Sequence, residues 1–180
     1  MTSILPTPAL PSGATSTTLG TPDGPFTVIE AEGSVLASGW TEEHADLTGQ
    51  IHPSIMRAGF DPAASAVRPI TDAVQRYYDG DLGAIDAVTV RQVSGPFRTH
   101  AWDVLRMVRP GAPATYAEYA QRAGNPTAVR AAAAACARNA AALFVPCHRI
   151  IRTDGSLGGF RWGLPVKQQL LDREARQSVS

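Results

Sequence analysis

Cys147 and His148 stand side by side in Pro146-Cys147-His148-Arg149, entered through the apolar run Leu143-Phe144-Val145 and left through Ile150-Ile151. A thiol beside an imidazole offers a nucleophile and a base. The thiol attacks only as thiolate, so its usual pKa of roughly 8.5 must fall or a base must take the proton. The apolar flanks point to a position in the domain interior. Successive side chains of an extended segment point to opposite sides, so contact between the pair needs a sharp turn at Pro146 or a bridging water. A carboxylate orienting the histidine would complete a relay. Glu174 is the best candidate, on an expected C-terminal helix over residues 165–176 that Val166, Leu170 and Leu171 would dock to the core. These residues alone leave several enzyme classes open. A cysteine hydrolase would also need an oxyanion hole and a separately placed base.

The elements around the pair narrow the choice. The chain has 180 residues, 44% of them apolar and 18% charged, enough for one or two small soluble domains. Cys136 is the only other cysteine, which argues against a disulfide scaffold and for a reducing, cytoplasmic setting. No apolar run approaches the roughly 20 residues of a membrane span, so no membrane partner is expected. Residues 1–18, rich in Pro, Ser and Thr, lack the pattern of a secretory signal and are expected to be a disordered tail.

Zero net charge conceals an asymmetry. Residues 1–90 carry three basic against eleven acidic residues, a net −8; residues 91–180 carry thirteen basic, twelve of them arginines, against five acidic, a net +8. Either the second half binds a polyanion, or the halves neutralise each other across an interface.

Residues 26–31 and 34–38 flank Glu32-Gly33 as an expected hairpin. Residues 45–69 give mixed signals. Ile70, Ala73, Val74, Tyr77 and Tyr78 recur at helical spacing up to Gly80, and residues 87–93 alternate as a further strand. Ser94-Gly95-Pro96 punctuates the chain where the charge changes sign. Phe97, Ala101, Val104, Leu105 and Val108 then mark an amphipathic helix stopped by Pro110-Gly111. Thr115-x-x-Glu118 is a capping box opening a short helix. After Gly124, Asn125 can cap a second helix with Pro126 at its first position, running to about Arg138. Two short helices joined by a tight turn in the basic half read as a helix-turn-helix. The second offers one long polar side chain, Arg130, among alanines. That suits close, sequence-independent approach to a groove, or equally an alanine-rich helix packed in the core.

Taken together, Tyr116, Gly124-Asn125-Pro126, Arg130, Asn139, Pro146-Cys147-His148-Arg149, Gly155, Gly158, Lys167 and Glu174 resemble the O6-alkylguanine-DNA alkyltransferase family from residue 97 to 174. Phe160-Arg161-Trp162-Gly163 is similar to its bacterial members. The resemblance implies an α/β fold: a small ribonuclease-H-like domain over residues 19–93, and a mostly helical, helix-turn-helix (winged-helix-like) catalytic domain over 94–180. It implies a monomer, binding singly or cooperatively, that acts on double-stranded DNA containing O6-alkylguanine. The base is flipped out, at a cost of a few kcal/mol, and the alkyl group passes irreversibly from O6 of guanine, or O4 of thymine, to Cys147.

The resemblance also implies roles. Cys147, a water, His148 and Glu174 form the relay, and Asn139 bonds backbone in the turn carrying the nucleophile. Tyr116 rotates the phosphate and donates to the guanine, while Arg130 fills the vacated stack. Thr127, Val129, Ala131 and Ala133 meet DNA, and Pro146, Ile150, Phe160 and Arg161 line the base pocket. Phe160 stands where many members have tyrosine, Arg161 where some have a small hydroxyl residue, Ala133 where much of the family has glycine, and Arg98 where glutamine is usual. No cofactor is expected. With only His44 and His52 and no cysteine in residues 1–90, no zinc is expected either. The alternative on the same scaffold is a DNA-damage-binding protein without alkyl transfer, although Cys147 is present.

Overall fold

The threonines of residues 15–18 begin a strand. The computed structural model describes residues 9–178. In it β1 (Thr15–Thr21), β2 (Gly24–Ala31) and β3 (Ser34–Gly39) form an antiparallel meander with Thr15 opposite Glu30. Thr15 Oγ1 donates to Glu30 Oε1 at 2.6 Å, and the Thr18 and Thr27 hydroxyls lie 2.7 Å apart. The expected disordered tail is therefore corrected: residues 1–8 lie outside those described, but 15–18 are paired strand. Pro, Ser and Thr together read as unstructured, yet β-branched threonines fit a half-buried pleated surface. The expected hairpin is present, with Glu32 and Gly33 both at positive φ (+50° and +75°), the turn that matches the twist of the strands.

The strand expected over 87–93 is reduced to β4 (Thr89–Val90), parallel to β3. Residues 45–69 form α1 (His44–Thr48), α2 (Pro53–Met56) and a 3-10 turn, Pro62–Ala64, before α3 (Val67–Tyr78) lays Ile70, Ala73, Val74 and Tyr77 into the core.

In the second half α4 (Pro96–Arg106) buries Ala101, Trp102, Val104 and Leu105. The capping box forms at α5 (Tyr116–Arg122): Glu118 N donates to Thr115 Oγ1 at 3.2 Å, and Thr115 N donates to Glu118 Oε2 at 2.7 Å. The next helix departs from expectation. α6 (Val129–Ala137) starts beyond Pro126, because Asn125 Oδ1 accepts from Thr127 N at 3.2 Å and Thr127 Oγ1 at 2.8 Å. The asparagine closes a local turn instead of capping the helix, the competition its short side chain invites. Two-residue β5 (Ala114–Thr115) and β6 (Ile150–Ile151) pair in parallel, and α7 (Leu164–Gln177) ends the described chain.

The result is a mixed α/β fold whose main apolar cluster crosses the expected boundary at Ser94. Phe26, Val35 and Tyr77 share it with Leu105, Tyr119, Leu143 and Leu170. Backbone docking joins the halves as well: Ser38 N donates to Ala140 O and Ser38 Oγ to Ala142 O, both at 2.8 Å. Among the described residues one ion pair links the halves, Asp23 with Arg173 at 2.7 Å. Direct pairing therefore does not neutralise the charge asymmetry.

Candidate active site

Residues 139–149 leave α6, dock against β3 and deliver the thiol. Leu143 holds φ at +74°, an uncommon conformation for a branched residue, in the tight turn where Val145 N donates to Ala141 O. Pro146 then breaks the extended path, and Cys147–Arg149 form one turn of 3-10 helix. Asn139, almost fully buried, ties this course together. Its Nδ2 donates to Val145 O at 2.7 Å and to Cys147 Sγ at 3.3 Å. Its Oδ1 accepts from Ala141 N and from Gln92 Nε2, each at 3.1 Å, while Gln92 Oε1 accepts from Ala140 N at 2.8 Å. Gln92 thus helps fix which end of the amide faces sulfur. Burial pushes the Cys147 thiol up, against the Asn139 hydrogen bond and the more distant Lys167 charge. At rest it is a protonated thiol.

Beneath it lies a buried polar chain. Glu174 Oε1 bonds His148 Nε2 at 2.8 Å and accepts from the Tyr77 phenol at 2.8 Å, while Arg149 Nε donates to Oε2 at 3.0 Å. His148, Glu174 and Tyr77 are fully buried. Burial raises the Glu174 carboxyl, but His148 and the permanently charged Arg149 outweigh it and hold the group well below the carboxylate range. Burial pushes His148 below its ordinary value despite the carboxylate beside it. The resting chain is therefore neutral imidazole on ionised carboxylate. The remaining ring nitrogen, Nδ1, is buried without a hydrogen-bond partner among protein groups.

The thiol opens into a cavity of about 460 Å³, walled by Tyr116, Ala133, Cys136, Ala137, Asn139, Ala142 and residues 159–162. Phe160 and Arg161 are among these walls. Pro146 and Ile150 are not: both are buried, and Ile150 lies in β6, where its carbonyl accepts from Lys167 Nζ at 2.6 Å. Burial pushes the Tyr116 phenol up to about 12, so it remains a proton donor at neutral pH. Its ring lies on Gly158, where an added Cβ would stand 3.0 Å from Tyr116 Cε2.

On α6, Ala132 and Ala135 face the core, which settles the direction of the helix; Arg130 and Ala131 are exposed. Tyr116, Val129, Arg130 and Ala133 border a second groove beside the cavity, whereas Thr127 is exposed in the preceding turn. Several contributors carried no local signal. Trp162 lies against Gly39 at the end of β3, so closely that a Cβ there would overlap its ring. Gln92 and Tyr77 come from distant elements, and only their side-chain partners reveal them. Among the described residues no group of three or more His, Cys, Asp or Glu side chains is placed to hold a metal ion, and no helix is long and apolar enough to cross a membrane.

Residues 96–176 match the family described as 6-O-methylguanine DNA methyltransferase, DNA binding domain. The chain is 48% identical over 79 residues to the bifunctional transcriptional activator/DNA repair enzyme Ada of Escherichia coli, covering 44% of this chain but 22% of that protein. It is 32% identical over 158 residues to the methylated-DNA--protein-cysteine methyltransferase of Shigella flexneri, covering 87% of this chain and 92% of the relative. The crystal structure of Mycobacterium tuberculosis O6-methylguanine methyltransferase superposes with a TM-score of 0.70 at 27% identity, over 91% of this chain and 94% of that one. The same organism's protein in complex with DNA gives 0.71 at 26% identity, over 90% and 93%.

Proposed function

The chain belongs to the methylated-DNA--protein-cysteine methyltransferase family, and we propose on that premise that it repairs alkylated DNA directly, consuming itself in one turnover. The substrate is a duplex carrying O6-alkylguanine, with O4-alkylthymine as a second lesion. α5 and α6 act as a helix-turn-helix on the minor groove, in a catalytic domain following a ribonuclease-H-like domain. The protein works as a cytoplasmic monomer, with or without cooperativity on DNA.

The observation that carries this reading is the Cys147 thiol, held by Asn139 at the wall of the cavity and followed in the chain by the His148 that pairs with Glu174, with Arg130 in the adjoining groove that shares Tyr116 and Ala133. The cavity suits a flipped base, with Phe160, Trp162 and Tyr116 as its aromatic walls. Arg130 fills the gap left in the stack, and Thr127, Val129, Ala131 and Ala133 approach the DNA. As the alkyl carbon nears sulfur, the thiol proton passes through a water to Nδ1 of His148, and Glu174 stabilises the imidazolium. The S–C bond forms as the C–O bond breaks. The electron pair stays on the guanine, where a hydrogen bond donated by Tyr116 eases its departure, and the proton taken up by His148 returns through water to the base, so neutral guanine leaves and a thioether remains. The buried ion set stabilises the imidazolium only transiently, which keeps the resting thiol unreactive.

Intact mass spectrometry after incubation with a duplex containing O6-methylguanine tests the reading. One methylene should be added once, at Cys147, and nothing with Cys147→Ser. Repeated turnover would exclude it, and binding without an adduct would favour a non-catalytic damage-binding protein.

A further inference from the structure

Beside the thiol cavity lies a second cleft of about 600 Å³ to which the mechanism assigns nothing. The loop at residues 49–53 forms one side, and residues 91–95 with Arg98 and Trp102 of α4 form another. Arg91, Arg98, Arg138 and Arg161 all line it, and no aspartate or glutamate does. None of the four takes part in an ion pair among the described residues. Arg98 is half-buried; its Nη1 donates to Ser94 Oγ at 2.9 Å, yet its Nε is buried without a partner. A chain with sixteen acidic residues has thus left four guanidinium groups around one cleft without a counter-charge. Like charges gathered in a partly enclosed space repel unless an anion joins them, and guanidinium forks suit the oxygens of a phosphate.

Placement indicates which anion. Arg130 and Arg138 bracket the alanine face of α6, eight residues and so about 12 Å apart along the helix. Ala131 and Ala134 share a shallow groove with Ser94, Gly95 and Arg98, which leads along α4 to the cleft. Arg161 walls both the cleft and the thiol cavity. A strand that delivers a base to Cys147 therefore has a continuous basic path leading away from it.

We infer that this cleft is a second nucleic-acid contact, which holds backbone phosphates of the DNA strand flanking the base in the thiol cavity. It rests on the alkyl-transfer reading above and extends the DNA footprint beyond α5 and α6. Neutralised phosphates show in the salt dependence, since log K falls against log salt with a slope of about −0.9 per phosphate contact on duplex DNA.

The test measures equilibrium binding of an unmodified duplex between about 50 and 200 mM salt for the wild type, Arg91→Gln, Arg138→Gln and the double variant, with Arg176→Gln on α7 as a control. Each single cleft variant should make the slope shallower by about 1 and the double variant by about 2, the control leaving it unchanged. All should react with free O6-benzylguanine as the wild type does, which reports an intact fold and cavity. An unchanged slope in the double variant, or an equal change in Arg176→Gln, overturns the inference. Failure of the wild type to accept an alkyl group from a modified duplex would overturn the alkyl-transfer reading instead, so the two failures are distinguishable.

Discussion

The Tyr77 phenol donates to Glu174 Oε1 at 2.8 Å, joining α3 of the first half to the carboxylate that supports His148 on α7's side of the site. Both side chains are fully buried. Tyr77→Phe keeps the ring and removes only this donor. The carboxylate charge is then less stabilised, so His148 holds a proton more tightly. The acid limb of the rate of transfer from free O6-benzylguanine should move to higher pH, and stability in denaturant should fall by about 1.5–3 kcal/mol, the range for a hydrogen bond to a charged group. An unmoved pH profile would reduce Tyr77 to packing.

Asn139 donates to the sulfur, and Gln92 holds the amide that does so. Asn139→Ala should push the thiol pKa up further. At fixed pH below that pKa, alkylation should slow about tenfold for each pH unit by which the thiol titrates later. Gln92→Ala should act in the same direction with a smaller effect, since Ala141 N still holds Oδ1. Rates of Cys147 alkylation across pH measure both, and a normal rate in Asn139→Ala would count against the positioning.

Gly39 leaves space for Trp162, a wall of the thiol cavity. Gly39→Ala should displace the indole, costing about 1–3 kcal/mol as an overpacked site, and should impair reaction with the free base. Gly59→Ala meets nothing within 4 Å and serves as the control. Equal behaviour of the two variants would contradict the contact.

Arg130 is exposed on α6 and lines the groove beside the thiol cavity. Only a duplex demands extrusion, so Arg130→Ala should weaken repair in duplex DNA more than reaction with O6-benzylguanine. Equal losses on both substrates would rule out the stacking role.

Acid should destabilise the fold in two stages. Folding holds His148 below its ordinary value of 6.5, so the unfolded chain binds its proton first and stability falls as pH drops below about that value. Glu174 is held below its ordinary value of 4.5, so a second loss begins near there and continues down toward its lower folded value. Each extra proton bound on unfolding contributes about 1.4 kcal/mol per pH unit. Denaturant titrations at successive pH should show His148→Gln without the first stage.

Local spacing on its own marked the nucleophile, the capping box of α5, the core face of α3 and Glu174, because each signal lies within a few residues of one stretch or one helical face. The β2–β3 hairpin was equally plain from Glu32-Gly33. Thr15–Thr18 were not, since a strand's identity depends on its partner, here Thr27–Glu30. Tertiary structure alone decided that Tyr77, Gln92 and Gly39 serve the site, since hydrogen bonds and close contacts across tens of residues leave no periodicity in the chain. It also decided that four arginines, scattered from 91 to 161, share one cleft with no acid among them. The chain determined which groups could react; only the fold determined which groups hold them.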